Sequence, residues 1–494
     1  MEEKKRLIVW NDFVMPESLK HKTVKGVSWS FAEQLLTRGS NFVIGIIIAR
    51  ILSPTDYGLI GMLGIFFGIS QLFIDGGLTS ALIRTKEPSE KDFATVYLIN
   101  VGLSLLFYFL LFFCAPVIAD FYGQPLLQPL TRILALTLVI SSVSSVQGTL
   151  LTIKVDFKTK TNISVIASIV SGLTGIVCAY KGLGVWALVA QALTASIMMS
   201  LLTIYFVRWM PRLVFSASSF KRLFSYSSKL LLSSCIHTIY DNCYPLVIGK
   251  RYTPADVGQY SRGSQFPGVA DSIITSALNR VAFPVLSQVQ DDDARLLRVY
   301  EKYIQLSCFL IFPIMMGLCG CARPLVSILL KESWLACVPF MQILCFGKMT
   351  NGITTINLNL LYVKGRSDLV LKLEMIKKTI AFSILFVTMF FGLKVMCLGQ
   401  TIYGFIALYL NTHYTKKILG YSFGRQMVTV APYFGLSIIV LGISLLSTSF
   451  IYNGYISIMV SLALCLAVYL VMARWMKLYA YREVVTIVQE RLHR

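Results

Sequence analysis

The chain has 494 residues, of which 56% are hydrophobic and 14% are charged, and its formal net charge is +21. Soluble proteins carry about 25% charged residues, so this composition excludes an ordinary cytosolic enzyme. Its high hydrophobicity also excludes a disordered chain. One membrane-spanning helix needs about 20 apolar residues, which leaves room for about a dozen spans or more. We therefore expect an all-α polytopic membrane protein.

Fourteen apolar stretches follow one another along the chain, each bounded by charged residues or by Gly and Pro. Residues 1–23 before them are polar and lack the apolar core of a signal peptide, so we expect an N-terminal tail. A polar interval at 208–222 separates the first six stretches from the rest, and a charged tail at 474–494 follows the last. The predicted spans are residues 24–52, 57–83, 93–118, 127–152, 161–180, 184–207, 223–249, 257–287, 303–320, 335–362, 368–392, 395–415, 427–450 and 454–473.

The distribution of positive charge predicts the orientation of these spans. An even number of spans places both termini on the same side of the membrane. If that side is the cytoplasm, the inner loops and tails hold about four times as many Lys and Arg residues as the outer loops. This bias explains the net charge without a nucleic-acid partner, since the cations are spread between apolar segments. We predict that both tails and the interval at 208–222 are cytoplasmic.

A pattern at the start of the second span returns in the second half of the chain. SPTDYG at 53–58 closes the first span, and TPADVG at 253–258 closes the seventh. Farther on, SALIR at 80–84 is echoed by SALNR at 276–280. Two matches at an offset of about 200 residues indicate duplication of a six-helix unit. The alternative is that [ST]-P-x-D-x-G is simply a favourable turn and helix start.

A duplicated unit with an even number of spans gives two lobes of the same orientation. The predicted N-lobe is residues 24–207, the C-lobe is residues 223–415, and residues 208–222 link them. Residues 427–473 add two C-terminal helices outside the repeat. Transporters built from such parallel repeats bind substrate between the two halves.

Charged side chains inside the spans are candidates for function, because burying a charge in a bilayer is costly and usually requires a polar cavity. Four cations lie at depths that suit a common cavity: Arg38, Lys229, Arg280 and Lys348. Guanidinium groups can bind two phosphate oxygens at once, so these residues predict a cationic cavity for an anionic head group. The alternative is internal pairing, as we expect for Glu374 and Lys378, which lie four residues apart on one helix.

Four further residues are candidates for coupling transport to H⁺ or Na⁺. His237 and Asp241 share one face of the seventh span, where they could carry a proton, bind a cation or form a helix contact. Asp75 precedes Gly76 and Gly77, where we expect a helix break or gate, and Asp271 lies in the eighth span. The cysteines lie in apolar stretches without zinc-ligand spacing, so we expect no metal site, catalytic site or cofactor.

The order of four segments resembles that of the polysaccharide-transporter (Wzx-type) flippases of the multidrug/oligosaccharidyl-lipid/polysaccharide exporter superfamily. The segments are ARILSPTDYG at 49–58, DGGL and ALIR within 75–84, GLGVWALV at 182–189, and FP, G, RP and W within 312–334. The resemblance implies a V-shaped, two-lobed bundle that alternates between inward-open and outward-open states. It also implies an undecaprenyl-pyrophosphate-linked oligosaccharide as substrate, moved to the periplasmic leaflet of a bacterial inner membrane. Arg38 matches the family's central cations in type and depth.

Two other functions stay open at this point. One is a multidrug/cation antiporter of the same superfamily, although the cations inside the spans outnumber the carboxylates, which favours an anionic cargo. The other is a membrane enzyme such as an O-antigen polymerase or ligase, although the predicted outer loops are short and lack a cluster of His or acidic residues. The expected partners are the lipid-linked oligosaccharide, membrane lipids and the polysaccharide polymerase machinery.

Overall fold

The computed structural model describes residues 36–37, 39–85, 87–211, 214–451 and 453–492, without the side chains of 229, 230, 233, 487, 488 and 490–492. Within these ranges the chain is helical and contains no β-strand. The predicted all-α membrane fold is thereby confirmed. Residue contacts divide the chain into two compact units, Met1–Lys250 and Arg251–Arg494.

The helices of the first unit cover the predicted spans one to seven. The helices of this unit are α1 (Gly39–Ile51), α2 (Pro54–Asp75), α3 (Leu78–Arg84), α4 (Glu90–Tyr122), α5 (Leu127–Leu134), α6 (Leu136–Ser142), α7 (Ser145–Ile153), α8 (Phe157–Tyr180), α9 (Trp186–Val207) and α10 (Ala217–Arg251). Three consecutive helices, α5 to α7, make up the fourth span.

The helices of the second unit cover the predicted spans eight to fourteen and the C-terminal tail. The α-helices of this unit are α11 (Pro254–Gln288), α12 (Asp293–Gly320), α13 (Ala322–Leu329), α14 (Val338–Val363), α15 (Ser367–Thr388), α16 (Leu393–Leu419), α17 (Phe423–Phe450), α18 (Gly454–Trp475) and α19 (Tyr479–Leu492). A short 3₁₀ helix, Glu332–Cys337, precedes the tenth span.

Among the described residues, nine helices are long and apolar enough to cross a membrane, or ten if the bent fourth span is counted. The remaining predicted spans coincide with α1, α10, α14 and α15, which do not meet the same combination of length and apolar composition. Several helices extend beyond the predicted limits. For example, α12 begins at Asp293 instead of residue 303, because Asp292 Oδ1 accepts a hydrogen bond from Arg295 N and caps a helix that continues past its apolar part.

The duplicated sequence pattern forms the same local structure in both units. Ser53 and Asp56 bond reciprocally at the start of α2, where Ser53 N donates to Asp56 Oδ2 at 2.9 Å and Asp56 N donates to Ser53 Oγ at 3.3 Å. Thr253 and Asp256 repeat this capping box at the start of α11, with distances of 3.0 and 3.2 Å. Each box satisfies backbone donors that the first helical turn leaves unpaired, which explains the requirement for these residue types.

The structure also shows where the predicted spans are interrupted. Gly76 and Gly77 both have positive φ, 52° and 67°, and separate α2 from α3, as expected for a helix break at this point. The predicted fourth span, 127–152, is a bent span, since its last part turns by 41° after Ser142. Hydroxyls there bond to carbonyls of the preceding turn, as Ser141 Oγ does to Thr137 O at 2.7 Å, and such bonds bend helices.

Helix α10 packs within the first compact unit. It begins at Ala217, within residues 208–222, and lies with that unit as far as Lys250. Small residues allow this packing, since a Cβ added to Gly64 of α2 would lie 3.0 Å from Asn242 Oδ1. At the other end of α10, Lys250 Nζ donates to Phe121 O at 2.6 Å. The division into an N-lobe at 24–207 and a C-lobe at 223–415 stays a prediction.

Candidate substrate and ion site

Two of the four predicted cavity cations cannot be placed at the level of their side chains. Arg38 lies outside the described residues. The backbone of Lys229 lies in α10, but its side chain is outside the description. The roles of both residues in binding an anion stay predictions.

Lys348 and Asp271, which the sequence assigned to different roles, lie together in the second unit. Lys348 projects from α14, and its Nζ is 4.0 Å from Asp271 Oδ2 of α11. The Lys348 side chain is 33% exposed, whereas the Asp271 side chain is only 11% exposed. The arrangement is thus a buried carboxylate beside an ammonium group that stays accessible.

Asn351 completes this cluster, and the sequence analysis did not identify it. Its Nδ2 donates to Asp271 Oδ2 at 2.7 Å. The other carboxylate oxygen, Oδ1, is buried and has no hydrogen-bond partner among the described residues. Asn351 is three residues after Lys348, on the same side of α14, and that spacing is the signal that could have suggested it.

A second polar contact joins the same two helices farther along. Asn359 Nδ2 of α14 donates to Asn279 Oδ1 of α11 at 2.7 Å. Asn279 and Asn359 follow Asp271 and Asn351 by the same number of residues, so α11 and α14 run parallel and the two contacts are about 12 Å apart. We call these four residues the polar ladder.

Arg280, the third predicted cation, follows the polar ladder directly on α11. Its side chain is partly buried, and its Nη1 is buried without a hydrogen-bond partner among the described residues. A buried guanidinium N–H that bonds to nothing is costly. Arg280 therefore has unused donor capacity close to the second contact of the ladder.

The predicted ion-coupling residues of the first unit lie in two places. Asp75 is the last residue of α2, and its Oδ1 accepts a hydrogen bond from Gln71 Nε2 at 3.2 Å. The predicted His237–Asp241 pair is present on α10, with 3.0 Å between His237 Nδ1 and Asp241 Oδ2. Both side chains of that pair are more than half exposed within the chain.

Glu374 pairs with a lysine of its own helix. Its Oε1 contacts the ammonium of Lys377, three residues later, and the predicted contact with Lys378 stays a prediction. Lys377 is buried, so α15 turns it towards the protein and the carboxylate provides its counter-charge. Among the described residues, no group of three His, Cys, Asp or Glu side chains could hold a metal ion.

Comparisons with known proteins agree with this architecture. Residues 47–339 match the model of a family described as polysaccharide biosynthesis protein. The succinoglycan biosynthesis transport protein ExoT of Rhizobium meliloti (strain 1021) is 28% identical over 336 residues, which are 68% of each chain. The lipopolysaccharide biosynthesis protein WzxC of Escherichia coli (strain K12) is 24% identical over 438 residues, covering 86% of this chain and 88% of WzxC.

Solved transporters share the fold. The lipid II flippase MurJ in its inward closed conformation aligns with a TM-score of 0.75 at 14% identity and covers 94% of this chain and 100% of MurJ. An inward-facing multidrug resistance transporter of the MATE family, in the MOP superfamily, aligns with a TM-score of 0.61 at 15% identity over 78% of this chain and 94% of its own. At these identities the likeness shows the fold alone.

Proposed function

The chain belongs to the polysaccharide biosynthesis protein family, and from that premise we propose that it is a flippase for a lipid-linked oligosaccharide. The proposed substrate is an undecaprenyl-pyrophosphate-linked oligosaccharide, which moves from the cytoplasmic to the outer leaflet of a bacterial inner membrane. The relatives support this, since one is a succinoglycan biosynthesis transport protein and MurJ, which shares the fold, is a lipid II flippase. In this proposal both termini are cytoplasmic and no residue is catalytic.

The observation that carries the proposal is the accessible ammonium of Lys348 beside a buried, half-satisfied carboxylate. At 4.0 Å from Asp271 Oδ2, the ammonium is beyond the length of a direct hydrogen bond. It can therefore exchange this partner for a stronger anion without breaking a direct hydrogen bond. A pyrophosphate offers more charge and more acceptor oxygens than one carboxylate, so we propose that it takes over Lys348, assisted by Arg280 of the same unit.

This exchange supplies a way to couple transport to an ion. Once Lys348 turns to pyrophosphate, Asp271 is left as a buried carboxylate without its counter-charge, which is unfavourable in a medium of low polarity. Uptake of H⁺ or Na⁺ by Asp271 would relieve that cost. We therefore propose that substrate binding at Lys348 and ion binding at Asp271 favour each other.

The test of the function uses cells that lack the chain. We expect lipid-linked repeat units to accumulate with their head groups in the cytoplasmic leaflet and surface glycan to be lost, and the wild-type chain to restore both. A normal distribution of these lipids between the leaflets would contradict the proposal.

Among variants, Lys348→Gln and Arg38→Ala should fail to restore export although they reach the membrane in normal amounts. The matched control is Lys372→Gln, an exposed lysine of α15.

A cation antiporter is the second candidate, favoured by one observation. Asp241 is 55% exposed and carries His237 on the same helix face, so a cationic compound could reach it. In that case loss of the chain would raise sensitivity to cationic drugs, and Asp241→Asn would behave like the deletion. Unchanged drug sensitivity together with lost glycan export would exclude this alternative.

A further inference from the structure

The end of α3 and the start of α10 enclose a basic pocket in the first unit that none of the proposed transport steps uses. Its volume is about 240 Å³. Its lining combines two arginines and a tyrosine with small and apolar side chains: Ala81, Arg84, Thr85, Arg222, Leu223 and Tyr226. We call it the Arg84 pocket. Arg84 ends the SALIR segment, whose arginine had no role in the sequence analysis beyond the repeat and the family resemblance.

Arg222 is held in place by a buried carboxylate. Its Nη2 donates to Asp92 Oδ1 at 2.6 Å, and Asp92 is 1% exposed while the Arg222 side chain is 60% exposed. Asp92 is itself fixed, because its Oδ2 accepts hydrogen bonds from Ser89 N and Oγ at 2.9 and 3.0 Å. A guanidinium has five N–H donors. The contact with Asp92 therefore fixes the position of Arg222 while leaving most of its donors available.

Arg84 is held differently, against an aromatic ring. Its guanidinium carbon lies 4.3 Å from the centre of the Tyr226 ring. Contact with the face of a ring leaves the N–H donors at the edge of the guanidinium plane open to an anion. Among the described residues, no carboxylate lies within 4.0 Å of this guanidinium. Two guanidinium groups and one carboxylate therefore leave the pocket with a net positive charge.

We infer that the Arg84 pocket binds the phosphate group of a membrane lipid. Two guanidinium groups on one small cavity suit the tetrahedral oxygens of a phosphate, which arginine binds through paired hydrogen bonds. Ala81 and Leu223 line the pocket and belong to an apolar cluster with Leu82 and Phe93, so the wall beside the two arginines is apolar and suits the first carbons of a lipid. The expected topology places Arg84 at the cytoplasmic end of the second span, at the depth of lipid head groups.

The phosphate could come from an ordinary anionic phospholipid or from a polyprenyl pyrophosphate, and the experiment separates these sources. The purified full-length chain is titrated in detergent with phosphatidylglycerol, farnesyl pyrophosphate or uncharged farnesol, and bound lipid is counted by native mass spectrometry. Arg84→Gln should weaken binding of at least one phosphate probe about tenfold and leave farnesol binding unchanged. Arg84→Lys should bind that probe with an affinity between those of the wild type and Arg84→Gln. The matched control is Arg298→Gln, which removes an exposed arginine from α12.

The outcomes divide cleanly. If Arg84→Gln loses binding of phosphatidylglycerol alone, the pocket is assigned to bulk phospholipid. If it loses binding of farnesyl pyrophosphate alone, the pocket is assigned to the prenyl pyrophosphate. Either outcome supports the inference. Unchanged binding of both probes to Arg84→Gln, or an equal loss in Arg298→Gln, overturns it. Since the readout is lipid binding and not export, the result is independent of the proposed flippase activity.

Discussion

Asn351 holds the Asp271 carboxylate with a 2.7 Å hydrogen bond, while the Lys348 ammonium remains 4.0 Å from the same oxygen. The amide therefore fixes the carboxylate, and the cation is left as the movable partner. Because α14 carries both Asn351 and Lys348, the distance between Lys348 and Asp271 can change without a shift of either helix. This division of roles leads to the first two predictions.

The first prediction concerns the energy of the Asp271–Lys348 pair. Lys348→Gln should lower the free energy of unfolding by about 1 kcal/mol, the upper range for a pair whose cation is partly exposed, because the buried carboxylate loses its counter-charge. In the double variant Asp271→Asn/Lys348→Gln no charge is left to compensate, so it should be no less stable than Lys348→Gln alone. A double-mutant cycle from denaturant unfolding in detergent measures this coupling. Simply additive effects would show that the two residues are independent.

The second prediction concerns ion dependence. Asp271→Asn keeps a side-chain oxygen for Asn351 but removes the group that would take up H⁺ or Na⁺. Flipping by this variant in proteoliposomes should therefore become insensitive to pH and sodium gradients, while wild type responds to at least one. Glu332→Gln, which neutralises an exposed carboxylate of the same unit, is the control and should respond like wild type. A gradient response retained by Asp271→Asn would remove Asp271 from the coupling step.

The sequence predicted those features that depend on short-range chemistry. Hydropathy located the spans because each must bury about 20 apolar residues, and the capping boxes at Ser53 and Thr253 are specified within four residues. The break at Gly76 and Gly77 was also predictable, because glycine adopts a positive φ without steric cost. The i,i+4 pair of His237 and Asp241 follows from helix geometry alone.

Features that depend on packing between distant segments were not predictable in the same way. The spacing from Lys348 places Asn351 on the same side of α14, but nothing local to Asn351 or Asn359 indicates which residue of α11 is its partner, since an uncharged amide in an apolar span can bond to many neighbours. The assignment of α10 to the first unit rests on close contacts such as that of Gly64 with Asn242. Hydropathy also could not show the bend after Ser142, because serine hydroxyls alter the helix through hydrogen bonds and not through polarity.

The third prediction tests the tightness of the helix break. A Cβ at Gly77 would be 3.2 Å from Ser227 Cβ and backbone O, in addition to the strain of φ +67°. Gly123 has a similar φ of +64° but no atom within 4 Å of the added Cβ. In both alanine variants the substituted residue must adopt the left-handed conformation, which costs about 1–2 kcal/mol of stability. Gly77→Ala should be destabilised more than Gly123→Ala in thermal unfolding, and equal destabilisation would mean that Ser227 can move away freely.

The fourth prediction concerns the docking of the C-terminal helix α19 at low pH. Glu483 Oε2 lies 2.8 Å from Lys302 Nζ of α12, and its Oε1 accepts a hydrogen bond from Tyr479 at 2.5 Å. The Lys302 ammonium, followed by the Tyr479 hydroxyl, lowers the pKa of Glu483 below its usual value. A lowered pKa means that the contact stabilises docking above the ordinary glutamate pKa of about 4.3. This stabilisation is lost as the pH falls from there through the lower pKa of the docked state.

Hydrogen exchange of α19 can follow this loss, with the rates corrected for the intrinsic effect of pH on exchange. Protection of α19 in the wild type should decrease as the pH falls below about 4. Glu483→Gln should give weaker protection at neutral pH and little further change on acidification, because the titrating group is gone. The control Glu301→Gln removes another carboxylate of the same unit, one that pairs with Arg425 at 3.2 Å, and should keep the wild-type pH response. If Glu483→Gln responds to acid as strongly as wild type, then the acid response of α19 does not come from this ion pair.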